Sequence, residues 1–165
     1  MKQSVTDALP PSEPTTRTDA FWRAFADATR ASGGYDVVAF GDSAGMANEL
    51  AQLVLTGPKR ATAGLLRDFG DEPLPVVGNH VVLIDGAGTP RAIWRTTDVR
   101  VGPLDSVDES FAWDEGEGER TRDDWLRMHR RFFERQAAEE GFAMHDGIET
   151  VFERFQVVWP PGAAA

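Results

Sequence analysis

The sequence predicts one α+β domain built around a small mixed β-barrel of about five to six strands with flanking helices. Three observations carry that prediction. Runs of β character crowd the middle of the chain, between Arg60 and Val101, while segments of helical period stand before and after them. A strand pattern then stands alone near the end, from Thr150 to Trp159. A barrel that inserts this terminal strand beside earlier ones leaves no long exposed edge. With 165 residues, 41% of them hydrophobic, the chain can fill one core, and a second would be hard to build.

Each element has its own signal. Residues 1–17 mix Ser, Thr, Pro and charge without a period, with Pro10, Pro11 and Pro14 among them, and read as a disordered tail ahead of a single domain over 18–160. Thr18 is the expected cap of a first helix whose Phe21, Trp22, Phe25 and Ala28 recur at helical spacing before Gly33-Gly34. A second helix follows Asp42 or Ser43 as cap, carries Met46, Leu50, Leu53 and Val54 as its stripe, and stops at Gly57-Pro58. Arg60 to Leu66 reads as a short strand. Pro73 and Pro75 interrupt the chain before Val76 to Asp85, whose Val81, Val82, Leu83 and Ile84 form a buried β run. A turn at Gly86-Ala87-Gly88-Thr89 returns it as Arg91 to Val101, with Ile93, Thr97 and Val99 on one face and Trp94, Thr96 and Asp98 on the other.

A short helix from about Ser106 to Trp113 leads into the acidic, glycine-punctuated run from Asp114 to Glu119, which is mobile unless something holds it. Thr121 caps a third long helix, with Asp123 and Asp124 in its favourable first turn and Trp125, Met128, His129, Phe132, Phe133 and Gln136 spaced by three and four. The final strand carries Val151, Phe155, Val157 and Trp159, Pro160-Pro161-Gly162 closes it, and residues 161–165 read as a second tail.

Composition narrows the function. There are no cysteines, so a disulfide partner and a thiolate metal site are both excluded, and a reducing compartment suits the chain. No stretch approaches the roughly 20 apolar residues of a membrane span, and the N-terminus has no apolar signal region, so a cytoplasmic protein without membrane contact is expected. The net charge of -10 argues against tight binding to long duplex nucleic acid, whose affinity comes from clustered Lys and Arg. Local clusters do exist at Lys59, Arg60 and Arg67 and at Arg91, Arg95 and Arg100, so a nucleoside or short RNA is compatible with them. The three histidines have no ligand spacing; no metal site and no cofactor are expected.

Several stretches, taken in order, resemble the ASCH domain family. They are Phe40-Gly41-Asp42-Ser43, Leu53-Val54-Leu55-Thr56-Gly57, Lys59-Arg60-Ala61-Thr62-Ala63, Val77-Gly78 and Thr96-Thr97-Asp98-Val99. Phe111-Ala112, then Asp114 to Gly118, Trp125 with His129, Phe132 and Phe133, and Phe155-Gln156-Val157-Val158 complete the set. The resemblance implies a PUA-like β-barrel with a cleft at one end. It also implies a catalytic Lys, a Thr three residues later and a distant Glu, as in the small amidohydrolases that deacetylate N4-acetylcytidine; other members are described as ribonucleases. Matched by motif, these are Lys59, Thr62 and Glu115, the last through the Ala-x-x-Glu of Ala112 to Glu115. Arg60, Trp94, Arg95, Glu117 and His129 are the expected substrate-binding residues. A non-catalytic RNA-binding module and a metal-dependent ribonuclease stand as alternatives. The chain departs from the minimal amidohydrolases in its longer N-terminal region and its acidic loop.

The chemistry leaves two roles open for Lys59. As a base near pH 7 it would need its pKa lowered from about 10.4 by roughly three units, on the order of 4 kcal/mol, and a nearby Glu115 opposes that. The alternative is a cationic oxyanion donor, with Glu115 activating Thr62 or a water. Residues three apart on a strand face opposite sides, so Lys59 and Thr62 converge only if Lys59 lies in the turn after Pro58. Plainer readings stand beside these: Lys59 as a solvated cation beyond a helix end, Thr62 as a good strand residue, Trp94 as core, and His129 as a hydrogen-bonded helix residue.

Overall fold

In the computed structural model, residues 12–41 and 43–163 are described. Four helices surround a five-stranded sheet that curls into a half-barrel, the expected α+β architecture. Helix α1 (Thr16–Thr29) is followed by β1 (Asp36–Ala39), α2 (Ala44–Thr56), β2 (Ala61–Leu65), β3 (His80–Ile84) and β4 (Pro90–Pro103). Helices α3 (Glu109–Glu115) and α4 (Arg122–Glu140) precede the last strand, β5 (Glu149–Trp159). Strand order is β1-β3-β4-β5-β2; only the β1–β3 pair is parallel. The terminal strand indeed inserts between earlier ones, β4 and β2. A bulge between Thr96 and Asp98 lets the 14-residue β4 pair with β3 near its start and with β5 along most of its length, since an unpaired residue bends and twists the strand.

Both faces of the sheet are covered, by different helices. On one, Val81, Leu83, Trp94, Phe155 and Val157 pack under Phe40 and the Leu50, Ala51 and Val54 stripe of α2, with Trp94 stacked between Phe40 and Phe155. On the other, Val82 and Ile93 meet Trp22 and Phe25 of α1, while Ala61, Ala63, Leu65 and Phe152 meet Phe111, Trp125 and Phe133 of α3 and α4.

Three expectations change. The first helix is capped by Thr15, not Thr18: Thr15 and Thr18 close a reciprocal capping box, and Ser12 already bridges to Val37, so the described part of the expected tail is structured. The rest of that tail, residues 1–11, together with 164–165 and the alternative cap Asp42, lies outside the described residues; Ser43 caps α2 by accepting from Met46 N. Strand β1 was not anticipated, because four residues are too few to display a period. The expected strand from Val76 begins only at His80, where pairing with β4 starts; before it Gly78 (φ 95°) turns the chain and donates to Thr96 O at 2.8 Å.

Candidate functional site

The end of α2 sets the position of Lys59. Gly57 takes a left-handed φ of 116° as C-cap, and both Gly57 N and Lys59 N donate back to Leu53 O, so Lys59 lies in the turn ahead of β2, as its convergence with Thr62 requires. Arg60 then donates its backbone N–H to Asp114 O at 2.6 Å, tying this turn to the end of α3. Its guanidinium turns back to Val54 O and Lys59 O, where the exposed carbonyls of a helix C-terminus favour a cation. Arg60 therefore holds the turn together.

Lys59 is completely buried. Its Nζ donates to Glu115 Oε1 and Glu117 Oε2, both at 2.7 Å, to Ala61 O at 2.9 Å and to Glu115 O at 3.4 Å, and lies 5.1 Å from the centre of the Phe40 ring. These oxygens only accept, so the arrangement holds an ammonium and opposes the neutral form a base would need. Glu115 is itself fully buried, and its Oε2 stands 3.8 Å from His129 Nε2. His129 donates from Nδ1 to Trp125 O at 2.8 Å, one turn back along α4, and lies flat on the Trp125 ring at 3.7 Å. Lys59, Glu115 and His129, with the partly exposed Glu117, thus form one group drawn from three parts of the chain.

The acidic loop is held in place. Gly116 passes so close to Pro58 that a Cβ there would stand 2.3 Å from Pro58 O, and its φ of 72° suits only glycine well. Glu119 N donates to Asp124 Oδ2 at 3.0 Å, the bond that does most to keep the Asp124 carboxyl below its usual range. Arg120 stacks over Trp113 at 3.7 Å and donates to Trp113 O.

Thr62 lies on the sheet face that carries Trp94 and Thr96, and there it lines a small cavity. The cavity has room for water-sized molecules over about 40 Å³, enough for one to three. Its walls are Thr62, Val81, Trp94, Thr96 and Glu153 from the sheet, with Asp36 and Val38 at β1, and its cover is the segment from Phe69 to Asn79 with Pro73, Pro75 and Val76.

Glu153 is the residue that sequence reasoning missed. It sits directly across from Thr62 in the β2–β5 pairing, is 6% exposed, and accepts from Trp94 Nε1 at 3.0 Å and Thr96 Oγ1 at 2.7 Å, both on Oε2. Burial pushes its carboxyl up to about 7, against the lowering effect of the two hydrogen bonds, and Asp36 at the rim adds a smaller push. A signal was available: Val151, Glu153, Phe155, Val157 and Trp159 share one parity, so the buried face of the strand carries a charge.

The other expected residues divide. Trp94 is both core and cavity wall, stacked on Phe155 at 4.0 Å with its indole N–H spent on Glu153. Arg95 alternates to the opposite face, beside His80, whose pKa is lowered by burial and by this guanidinium; it does not line the cavity. Among the described residues no group of three or more His, Asp or Glu is placed to hold a metal ion, and no helix is long and apolar enough to cross a membrane.

Known proteins agree with this fold. A family model described as ASCH domain matches residues 36–159. The solved structure of an ASCH domain from Lactobacillus crispatus JV V101 is similar at 29% identity and a TM-score of 0.79, over 87% of this chain and 94% of that one. A protein from Enterococcus faecalis V583 is similar at 35% identity and a TM-score of 0.75, over 85% and 86% of the two chains. No curated protein matches the chain.

Proposed function

The chain belongs to the ASCH domain family, and from that premise we propose that it binds a pyrimidine nucleoside in the Thr62 cavity and hydrolyses an acyl amide on its exocyclic N4. One observation carries this reading above the others: Thr62, the hydroxyl of the Lys-x-x-Thr motif, opens on a largely apolar cavity that also holds a poised carboxyl and an indole. A small, largely apolar pocket of this kind suits a small ligand better than a polymer. The net charge of -10 points the same way.

The reaction takes up one water and releases a carboxylic acid and the free amine. Thr62 Oγ1 attacks the acyl carbon, the C–N4 bond breaks as the hydroxyl proton passes to the departing N4 amine, and water then hydrolyses the Thr62 ester to release the acid and restore the hydroxyl. Lys59 and Glu115 are not among the residues that line the cavity, so in this scheme Lys59 is no base: two carboxylates at 2.7 Å hold its protons, and the ammonium serves to fix the start of the strand that carries Thr62. Glu115 and Glu117 fix the ammonium where β2 begins. The segment 69–79 forms one side of the cavity, so a bound nucleoside would contact it.

The test is release of acetate and cytidine from N4-acetylcytidine by purified protein. Thr62→Val, which keeps shape and β propensity and removes the hydroxyl, is expected to abolish release with the fold intact. Full turnover by Thr62→Val would remove the nucleophile from the scheme. Binding of short RNA without release of any product would favour a non-catalytic module.

A further inference from the structure

We propose that Glu153 is the specificity-determining residue of the cavity, its Oε1 accepting a hydrogen bond from an N–H on the ligand, so that the site selects amino-bearing bases of the cytosine type over oxo-bearing ones. The inference rests on the nucleoside reading and names the residue that selects the base.

The geometry leaves one oxygen for a ligand. Oε2 of Glu153 receives Trp94 Nε1 and Thr96 Oγ1, which between them use its two in-plane lone pairs. Among the described residues no hydrogen bond engages Oε1. The side chain is buried and lines the cavity, so a ligand there meets its carboxyl. Among the described residues no Lys or Arg lines the cavity to neutralise it.

The surroundings of the carboxyl are acidic or neutral from every side. β1 contributes Asp36, β2 the neutral Thr62 across the strand pair, β4 Trp94 and Thr96, and the covering segment Asn79. The adjacent Arg154 points away, to Asp114 at 3.0 Å. A buried carboxylate without a counter-cation is completed by a donor from the ligand. The neutral and ionised forms are balanced near pH 7, so a ligand N–H draws the group to carboxylate, and affinity for that ligand rises as pH passes upward through about 7.

Glu153→Gln inverts the site. Trp94 Nε1 can only donate, so the amide oxygen must take the position of Oε2, and the amide NH₂ then occupies the place of Oε1. The cavity would present a donor where the native protein presents an acceptor, which suits O4 of uridine instead of N4 of cytidine.

Dissociation constants of cytidine and uridine, measured by NMR titration at pH 6 and pH 8 on both proteins, decide the matter. The native protein is expected to favour cytidine about tenfold at pH 8 and less at pH 6, and Glu153→Gln to favour uridine at both. The indole N–H resonance of Trp94, assigned with Trp94→Phe, should titrate near pH 7 in the native protein and stay flat in Glu153→Gln, which also confirms that the variant is folded. Unchanged preference for cytidine in Glu153→Gln would overturn the inference and leave the nucleoside reading standing. Failure of the native protein to bind either nucleoside would overturn both.

Discussion

Two buried ionisable side chains define this molecule, and they are satisfied in opposite ways. Lys59 is enclosed by carboxylates, and breaking such a pair by removing one partner costs more than the pair contributes, because a charge is left without compensation. Lys59→Ala is therefore expected to lower unfolding free energy by roughly 3–5 kcal/mol in urea titrations. Activity loss in that variant would report damage to the fold, which is why Thr62→Val is the cleaner probe of chemistry. Glu153 is enclosed by neutral donors and stays protonated until about pH 7, whereas a Glu in the unfolded chain ionises near pH 4.5. Between those values the folded state binds the extra proton, so stability falls as pH rises from about 4.5 to about 7 and is flat above. Replacement by Gln removes that decline. Denaturant curves from pH 4 to 8 should show Glu153→Gln gaining on the native protein by up to about 3 kcal/mol across the window.

At the scale of elements, the site depends on two glycine-punctuated segments. The loop from Gly116 to Arg120 presses against Pro58 and brings Glu115 and Glu117 to Lys59. Gly116→Ala meets both a left-handed φ of 72° and the Pro58 carbonyl, so a loss well above the 1–2 kcal/mol of backbone strain alone is expected in thermal melts. Gly34→Ala, with open space around it, serves as control and should change little. The second segment, 69–79, is bounded by Gly70 (φ 54°) and Gly78 (φ 95°) and exposes Val76 and Val77 to solvent. Few backbone hydrogen bonds cross it, so its amides should exchange faster than those of β4 and become protected when a nucleoside occupies the cavity.

For the whole molecule, charge separates the ligand classes. Binding of a neutral nucleoside in a small apolar cavity should be nearly independent of salt, whereas a polymer bound through Arg contacts would weaken steeply between 50 and 200 mM, in proportion to the phosphates neutralised. Salt titration of cytidine and of a short single-stranded RNA, side by side, tests this. A flat response for cytidine with loss of RNA binding at the higher salt is the expected pair of results.

The sequence by itself determined the α+β class, the order of nearly every element after Gly41 and the helix stop at Gly57, which follow from period, capping and punctuation and are local; the grouping of Lys59 with Glu115 came from the family resemblance. It missed β1, whose four residues acquire strand geometry only by lying beside β3. It also could not say which face of a strand meets water. Arg95 and Trp94 were expected in one cleft although alternation sends them to opposite faces, and Glu153 was not singled out. Only the tertiary structure decided these points. A carboxyl or an ammonium takes its charge and its hydrogen-bonding role from the groups folded around it, and those come from distant parts of the chain.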